Sequence, residues 1–305
     1  MRKFRSVMAA LAGASLVVTM AACGNPSGGS NAAAKDVGPE IKNSKVESVA
    51  AMVPAEIRDA GKLTIAINPD VAPIKFVNPE GEIIGLNPEL LEAAGVVMGL
   101  DVEWQKVSFD ALVPGLQSQR FDVIASIGDF KERQGQIDFI DYMTTGSALI
   151  VSADFEKDSM VIEDTCGLRI SVGRGTYQQG QLDKISEDCV AAGKEAVKVS
   201  VLGDTNAALL AVKSDQADGF WGDVQALRYN AKTSPELYKV TTENVAGPYG
   251  IGINKKDVEL RDALRAGLLH LVENGTYDQL LEKWGQESLG MPELPLNSGG
   301  SLKAS

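Results

Sequence analysis

Along residues 60–288, short apolar runs alternate with stretches whose apolar positions recur every three or four residues. Leu63–Ile67, Val102–Gln105, Phe121–Ala125, Leu168–Val172, Val197–Leu202 and Gly219–Trp221 are short and apolar, and they predict strands. Helices are predicted between them at Pro88–Met98, Phe109–Ser118, Gln178–Val190, Thr205–Ser214 and Asp223–Asn230. The alternation argues for βαβ units with parallel pairing, hence an α/β fold. Asn87-Pro88-Glu89 offers an N-cap, an N1 proline and a first-turn acid in order. From Asp257 a further helix carries Leu260, Ala263, Leu264, Gly267, Leu268, Leu271 and Val272 on one stripe. It should stop at Asn274-Gly275, where Thr276-Tyr277-Asp278-Gln279 opens the next helix with a capping box.

The N-terminus breaks this pattern. Arg2, Lys3 and Arg5 precede Val7–Ala22, an apolar stretch shorter than the ~20 residues of a spanning helix. Residues 1–22 therefore read as a signal peptide. Met20-Ala21-Ala22-Cys23 resembles the lipobox of bacterial lipoproteins, which implies lipidation of Cys23; a secreted chain with a chance cysteine is the alternative. Residues 23–59, rich in Gly, Ser, Asn, Ala and Lys, read as a flexible lipid-anchored tether. The body would then be held at the cell membrane on its extracytoplasmic side, at the cell surface or in the periplasm. Residues 289–305 are taken as a C-terminal tail.

Composition narrows the chemistry. The 305 residues carry a formal net charge of −12, which argues against nucleic acid as a partner. A lone histidine, His270, leaves nothing for a Ser-His-Asp triad or a multi-histidine metal centre; it lies off the apolar stripe and reads as a flank residue. No P-loop is present, and Gly173-Arg174-Gly175 lacks the third glycine of a dinucleotide fingerprint. No metal and no cofactor are expected. Once Cys23 is set aside, Cys166 and Cys189 remain; outside the cytoplasm they are expected to pair, two buried free thiols being the alternative.

The order of motifs resembles family 3, the amino-acid-type solute-binding proteins of ABC importers. Gly61-Lys62-Leu63-Thr64-Ile65, Val71-Ala72-Pro73-Ile74-Lys75-Phe76 and Gly85-Leu86-Asn87-Pro88-Glu89-Leu90 come first. Phe109 to Leu116, Phe121-Asp122-Val123-Ile124 and Glu132-Arg133 with Ile137-Asp138-Phe139 and Tyr142 follow. Gly175-Thr176, Ala217-Asp218 to Asp223, Pro248-Tyr249-Gly250-Ile251 and Gly275-Thr276-Tyr277 to Lys283-Trp284 complete the series. The resemblance implies a two-lobed periplasmic-binding-protein-like fold of type II, with two crossing strands as the hinge. Lobe one would take residues 60–149 plus 248–288, and lobe two residues 150–247. It also implies a monomeric, non-catalytic receptor that delivers an amino acid or similar zwitterion to a membrane-embedded ABC permease. An enzyme on the same fold, a dehydratase of a cyclic amino-acid precursor, is the alternative, as is a ligand-sensing partner of a signalling protein. No spare acid stands at a matched position for catalysis, with Asp129 and Asp70 the residues to watch.

The same resemblance assigns the site. Arg133 would take the ligand carboxylate, although on residue type alone it reads as a surface ion-pair partner. Asp223 would take the ammonium; otherwise it is a helix N-cap. Backbone donors match at Ser126, Gly128, Thr176 and Tyr177, where Thr176 also reads as a simple N-cap. Phe109 would pack on the ligand, with Trp221 a further candidate if strand alternation turns it toward the cleft with Asp223. Asn68 stands where some members place an acid. Val71, Ile74, Gly128 and Phe130 depart from the family pattern, removing aromatic stacking and hydroxyls and leaving a roomier cleft.

Overall fold

The computed structural model describes residues 43–300; the expected signal peptide, Cys23 and the tether up to residue 42 lie outside the described residues. The strands are β1 (Lys62–Ile67), β2 (Asp70–Val71), β3 (Lys75–Val77), β4 (Ile83–Ile84), β5 (Asp101–Lys106) and β6 (Val123–Gly128), then β7 (Ile137–Ser152), β8 (Arg169–Gly173), β9 (Lys198–Leu202), β10 (Gly219–Asp223) and β11 (Tyr238–Asn254). Eight of them form one sheet in the order β5-β1-β6-β11-β7-β10-β8-β9, while β2, β3 and β4 make a small antiparallel sheet. On one side β1 pairs in parallel with β5 and β6. On the other, β8 pairs in parallel with β9 and β10. These are the βαβ units that the apolar runs predict. Leu63, Ile65, Ile67, Val123, Ile124 and Ala125 are fully buried, as befits strands covered on both faces.

Two long antiparallel strands join the halves. β7 and β11 stay paired from Ile137 opposite Asn254 to Ser152 opposite Tyr238, with register shifts around Thr242, Val245–Pro248 and Tyr249–Gly250. β11 borders β6 and β7 borders β10, so each long strand serves both lobes. The fold is α/β and two-lobed, with these strands as the crossings between lobes.

Several local expectations change. The helix expected from Pro88 begins at Leu86 after Gly85, whose φ of 131° is open to glycine. Asn87 is no cap; it is buried and its Nδ2 donates to the Ala125 carbonyl at 2.7 Å. Phe109–Ser118 divides into a 3-10 turn, Phe109–Ala111, and a helix, Leu112–Gln117. Left-handed Gly275 precedes the last α-helix, Thr276–Trp284; instead of closing a capping box, the Thr276 hydroxyl donates to Asn43 Oδ1 at 3.1 Å.

The globular body starts before residue 60. Helices Glu47–Ala50 and Ala55–Ala60 flank Val53, and Val49 and Val53 are buried in the same core as Leu90 and Leu264. Residues 43–59 are thus not a free tether: their few valines bury against the helix Leu86–Met98, and Val46 N–H donates to the Val97 carbonyl at 3.0 Å. Nor do residues 289–300 trail away. Met143 bridges Gly290, Ile140 bridges Leu296, and Leu294 is fully buried. In the other lobe Cys166 and Cys189 are bonded, with Cα atoms 5.7 Å apart. Among the described residues no helix is long and apolar enough to cross a membrane.

Candidate ligand-binding cleft

β1, β6, β8 and β10 all end on one cleft, the place where open α/β sheets present ligands. Asn68, Asp70, Phe109, Gly128, Phe130 and Arg133 line it from one lobe; Gly173, Thr176, Tyr177, Gln178 and Asp223 line it from the other. Thr145, Gly146 and Tyr249, on the crossing strands, form its back.

Arg133 sits on the single turn Lys131–Gln134, and its Nη1 donates to the Gly128 carbonyl at 2.6 Å. The guanidinium lies 5.8 Å from the Phe109 ring centre and 5.6 Å from that of Phe130. Burial lowers its pKa, but a guanidinium remains charged. Asp223 occupies the N-cap position of the helix Val224–Thr233 without capping it. Its Oδ1 accepts instead from Gln178 Nε2 at 3.0 Å, and burial raises its pKa. Thr176 is an N-cap: its hydroxyl accepts from Gln179 N–H and donates to the Gly173 carbonyl at 2.8 Å. That hydroxyl is occupied. Tyr177 packs on Phe130 across the cleft, ring centres 4.7 Å apart.

Ser126, expected as a backbone donor, is not among the residues lining the cleft; its side chain is fully buried behind it, the hydroxyl 2.8 Å from that of Tyr142. Trp221 does share a strand face with Asp223, but it lies two residues deeper, about 6.6 Å along the strand. Its indole therefore meets Gln181, at 3.0 Å, one turn along the helix from Gln178, and it lines a separate groove beside the disulfide. Asp129 faces the C-terminal segment, accepting from Gly299 N–H at 2.7 Å and from Gln134 at 2.8 Å.

The sequence reading missed Lys75. It is fully buried, with Nζ 2.6 Å from both Asn68 Oδ1 and the Ser126 carbonyl oxygen. Burial lowers its pKa to about 8 against the pull of Asp70 and Asp223. Its signal was a single charge in the apolar segment Val71 to Phe76. Two residues after Asn68, Asp70 lines the cleft, accepting from Asn68 at 2.8 Å and from Thr205 N–H, in the other lobe, at 3.0 Å. Phe130 was counted as a lost hydroxyl and is in fact an aromatic wall.

The sequence profile of the bacterial extracellular solute-binding proteins, family 3, matches residues 63–287. The arginine-binding protein ArgT of Corynebacterium glutamicum is 29% identical over 302 residues, covering 96% of each chain. The ABC transporter glutamine-binding protein GlnH of Bacillus subtilis is 27% identical, covering 89% of this chain and 93% of its own. Among solved structures, an ancestral arginine-binding protein bound to arginine superposes with a TM-score of 0.68 at 28% identity, over 73% of this chain and 98% of its own.

Proposed function

Since the chain belongs to the bacterial extracellular solute-binding proteins, family 3, we propose that it captures an amino acid, or a zwitterion built like one, between its lobes and delivers it to a membrane-embedded ABC permease. One observation carries this reading. A guanidinium and a carboxylate, Arg133 and Asp223, reach the same cleft from opposite lobes, and among the described residues neither is held in a salt bridge. Arg133 takes the ligand carboxylate through its planar fork, and Asp223 takes the ammonium. Phe109, Phe130 and Tyr177 wall the space between them. Relatives named for arginine and for glutamine support amino acids as the ligand class without fixing the side chain. In this reading lipidated Cys23 keeps a monomeric receptor on the outer face of the membrane, near its permease.

Calorimetric titration with amino acids tests the clamp. Arg133→Ala and Asp223→Asn should each weaken binding at least tenfold, about 1.4 kcal/mol, with the fold intact. Decarboxylated analogues should lose no further affinity in Arg133→Ala, nor deaminated analogues in Asp223→Asn. Wild-type affinity in either variant would remove that residue from the site.

A further inference from the structure

Lys75 places a cation just behind the cleft wall made by Asn68 and Tyr249, 5.7 Å from the Tyr249 ring centre and within electrostatic reach of Asp70 and Asp223. Its ammonium is held by neutral acceptors, Asn68 Oδ1 and the Ser126 carbonyl, each at 2.6 Å. Asp70 and Asp223 act on it electrostatically but make their own hydrogen bonds elsewhere, to Asn68 and Thr205 and to Gln178. Around the cleft, two cations, Lys75 and Arg133, thus stand with two anions, Asp70 and Asp223; buried Asp129 also acts on Arg133, but its oxygens are taken by Gly299 N–H and Gln134. At the rim, exposed Arg174 and Asp204 add one charge of each sign and stay solvated.

A zwitterion with an uncharged side chain preserves that balance. Its carboxylate pairs with Arg133, while its ammonium and Lys75 share the two half-buried carboxylates. A basic side chain would bring a further cation for which no inner anion remains, and an unpaired charge in a closed cleft is costly. We infer that Lys75 is a specificity-determining residue: it supplies from the chain the cation a basic side chain would bring, so the site takes amino acids with uncharged side chains and rejects basic ones. The inference rests on the amino-acid-receptor reading and narrows it. Although burial pulls its pKa to about 8, Lys75 is still mainly protonated at neutral pH.

Matched ligand pairs read this directly. Citrulline and arginine differ mainly in charge, and norleucine and ornithine are near-isosteres in which a methyl group replaces the ammonium. At pH 7 the wild-type protein should bind the neutral member of a pair at least tenfold more tightly. Lys75→Met and Lys75→Gln, checked for folding by thermal denaturation without ligand, should shift that ratio at least tenfold toward the basic member. Should either variant fail to fold, the other and the wild-type preference still decide the matter. Equal or tighter wild-type binding of the basic members, or an unchanged ratio in a folded variant, overturns the role of Lys75. A wild-type protein that binds no amino acid at all overturns the receptor reading itself, and that result is seen before any variant is compared.

Discussion

A methyl group added to Gly128 would lie 2.6 Å from the Phe130 ring, which forms the cleft wall between Tyr177 and the Arg133 guanidinium. The two departures from the family pattern are therefore one change: the ring at 130 needs the bare backbone at 128. Gly128→Ala should push the ring toward Tyr177 and Arg133 and weaken ligand binding about tenfold, with a smaller effect on the melting temperature. In a Phe130→Ala background the same substitution should be nearly silent. Titrations of the two single variants and the double variant measure this, and an equal loss in both backgrounds would disprove the coupling. That Arg133 and Asp223 line one cleft was legible only through the order of family motifs, since by residue type alone they read as a surface ion-pair partner and a helix N-cap. Lys75 was not, because a lysine in a short strand looks exposed until the fold buries it. Phe130 was misread for a related reason: loss of a hydroxyl is visible in sequence, while the direction of a ring is not.

At the scale of elements, the C-terminal segment after residue 289 behaves as a strap across β7. Asp141 accepts from both the N–H and the hydroxyl of Ser298, at 2.9 and 2.7 Å, and neighbouring Asp129 accepts from Gly299 N–H. Burial and the adjoining Asp129 raise the Asp141 pKa to about 7. Between about pH 4 and 7 the folded chain thus holds a proton that the unfolded chain has released, so stability falls as pH rises through this window. Equilibrium denaturation should give a smaller unfolding free energy at pH 8 than at pH 5.5, the Ser298 hydrogen bonds, which favour the ionised carboxylate, offsetting only part of the shift. Asp141→Asn, which mimics the protonated acid, should lose that difference; an unchanged pH response in the variant would place the effect elsewhere. The strap was read from sequence as a tail because its anchors are backbone groups and isolated side chains without periodicity. β7 and β11 were missed for a different reason. Antiparallel strands long enough to cross both lobes, interrupted by Gly146 and by Gly247-Pro248, do not look like the short buried runs of a parallel sheet. The parallel units on either side were legible because each is a compact apolar run flanked by its own helix.

For the whole molecule the proposed capture depends on how the two lobes meet across the cleft. Several contacts already span the cleft: Phe130 on Tyr177, Asp70 on the Thr205 N–H, and Phe76 near Tyr229, ring centres 6.4 Å apart. Phe76 and Tyr229 stand outside the charged site, so they bear on closure without touching a bound zwitterion. A receptor whose binding-competent arrangement is only partly populated shows an affinity reduced by that fraction. An aromatic pair contributes about 0.5–1.5 kcal/mol, so removing one ring should weaken binding by roughly two- to tenfold, and by the same factor for every ligand. Phe76→Ala also gives up an edge-on contact with Trp284 at 5.8 Å within its own lobe, whereas Tyr229 is partly exposed on the opposite lobe. The two truncations should nevertheless lower affinity by similar factors, and small-angle scattering of the ligand-free variants should give a larger radius of gyration than wild type. A loss confined to some ligands would mean that these rings shape the site, and unchanged affinity with unchanged dimensions would mean that they do not hold the lobes together. Arg133→Ala provides the contrast: its effect should depend on whether the ligand has a carboxylate, while the Phe76 and Tyr229 variants should not distinguish ligands.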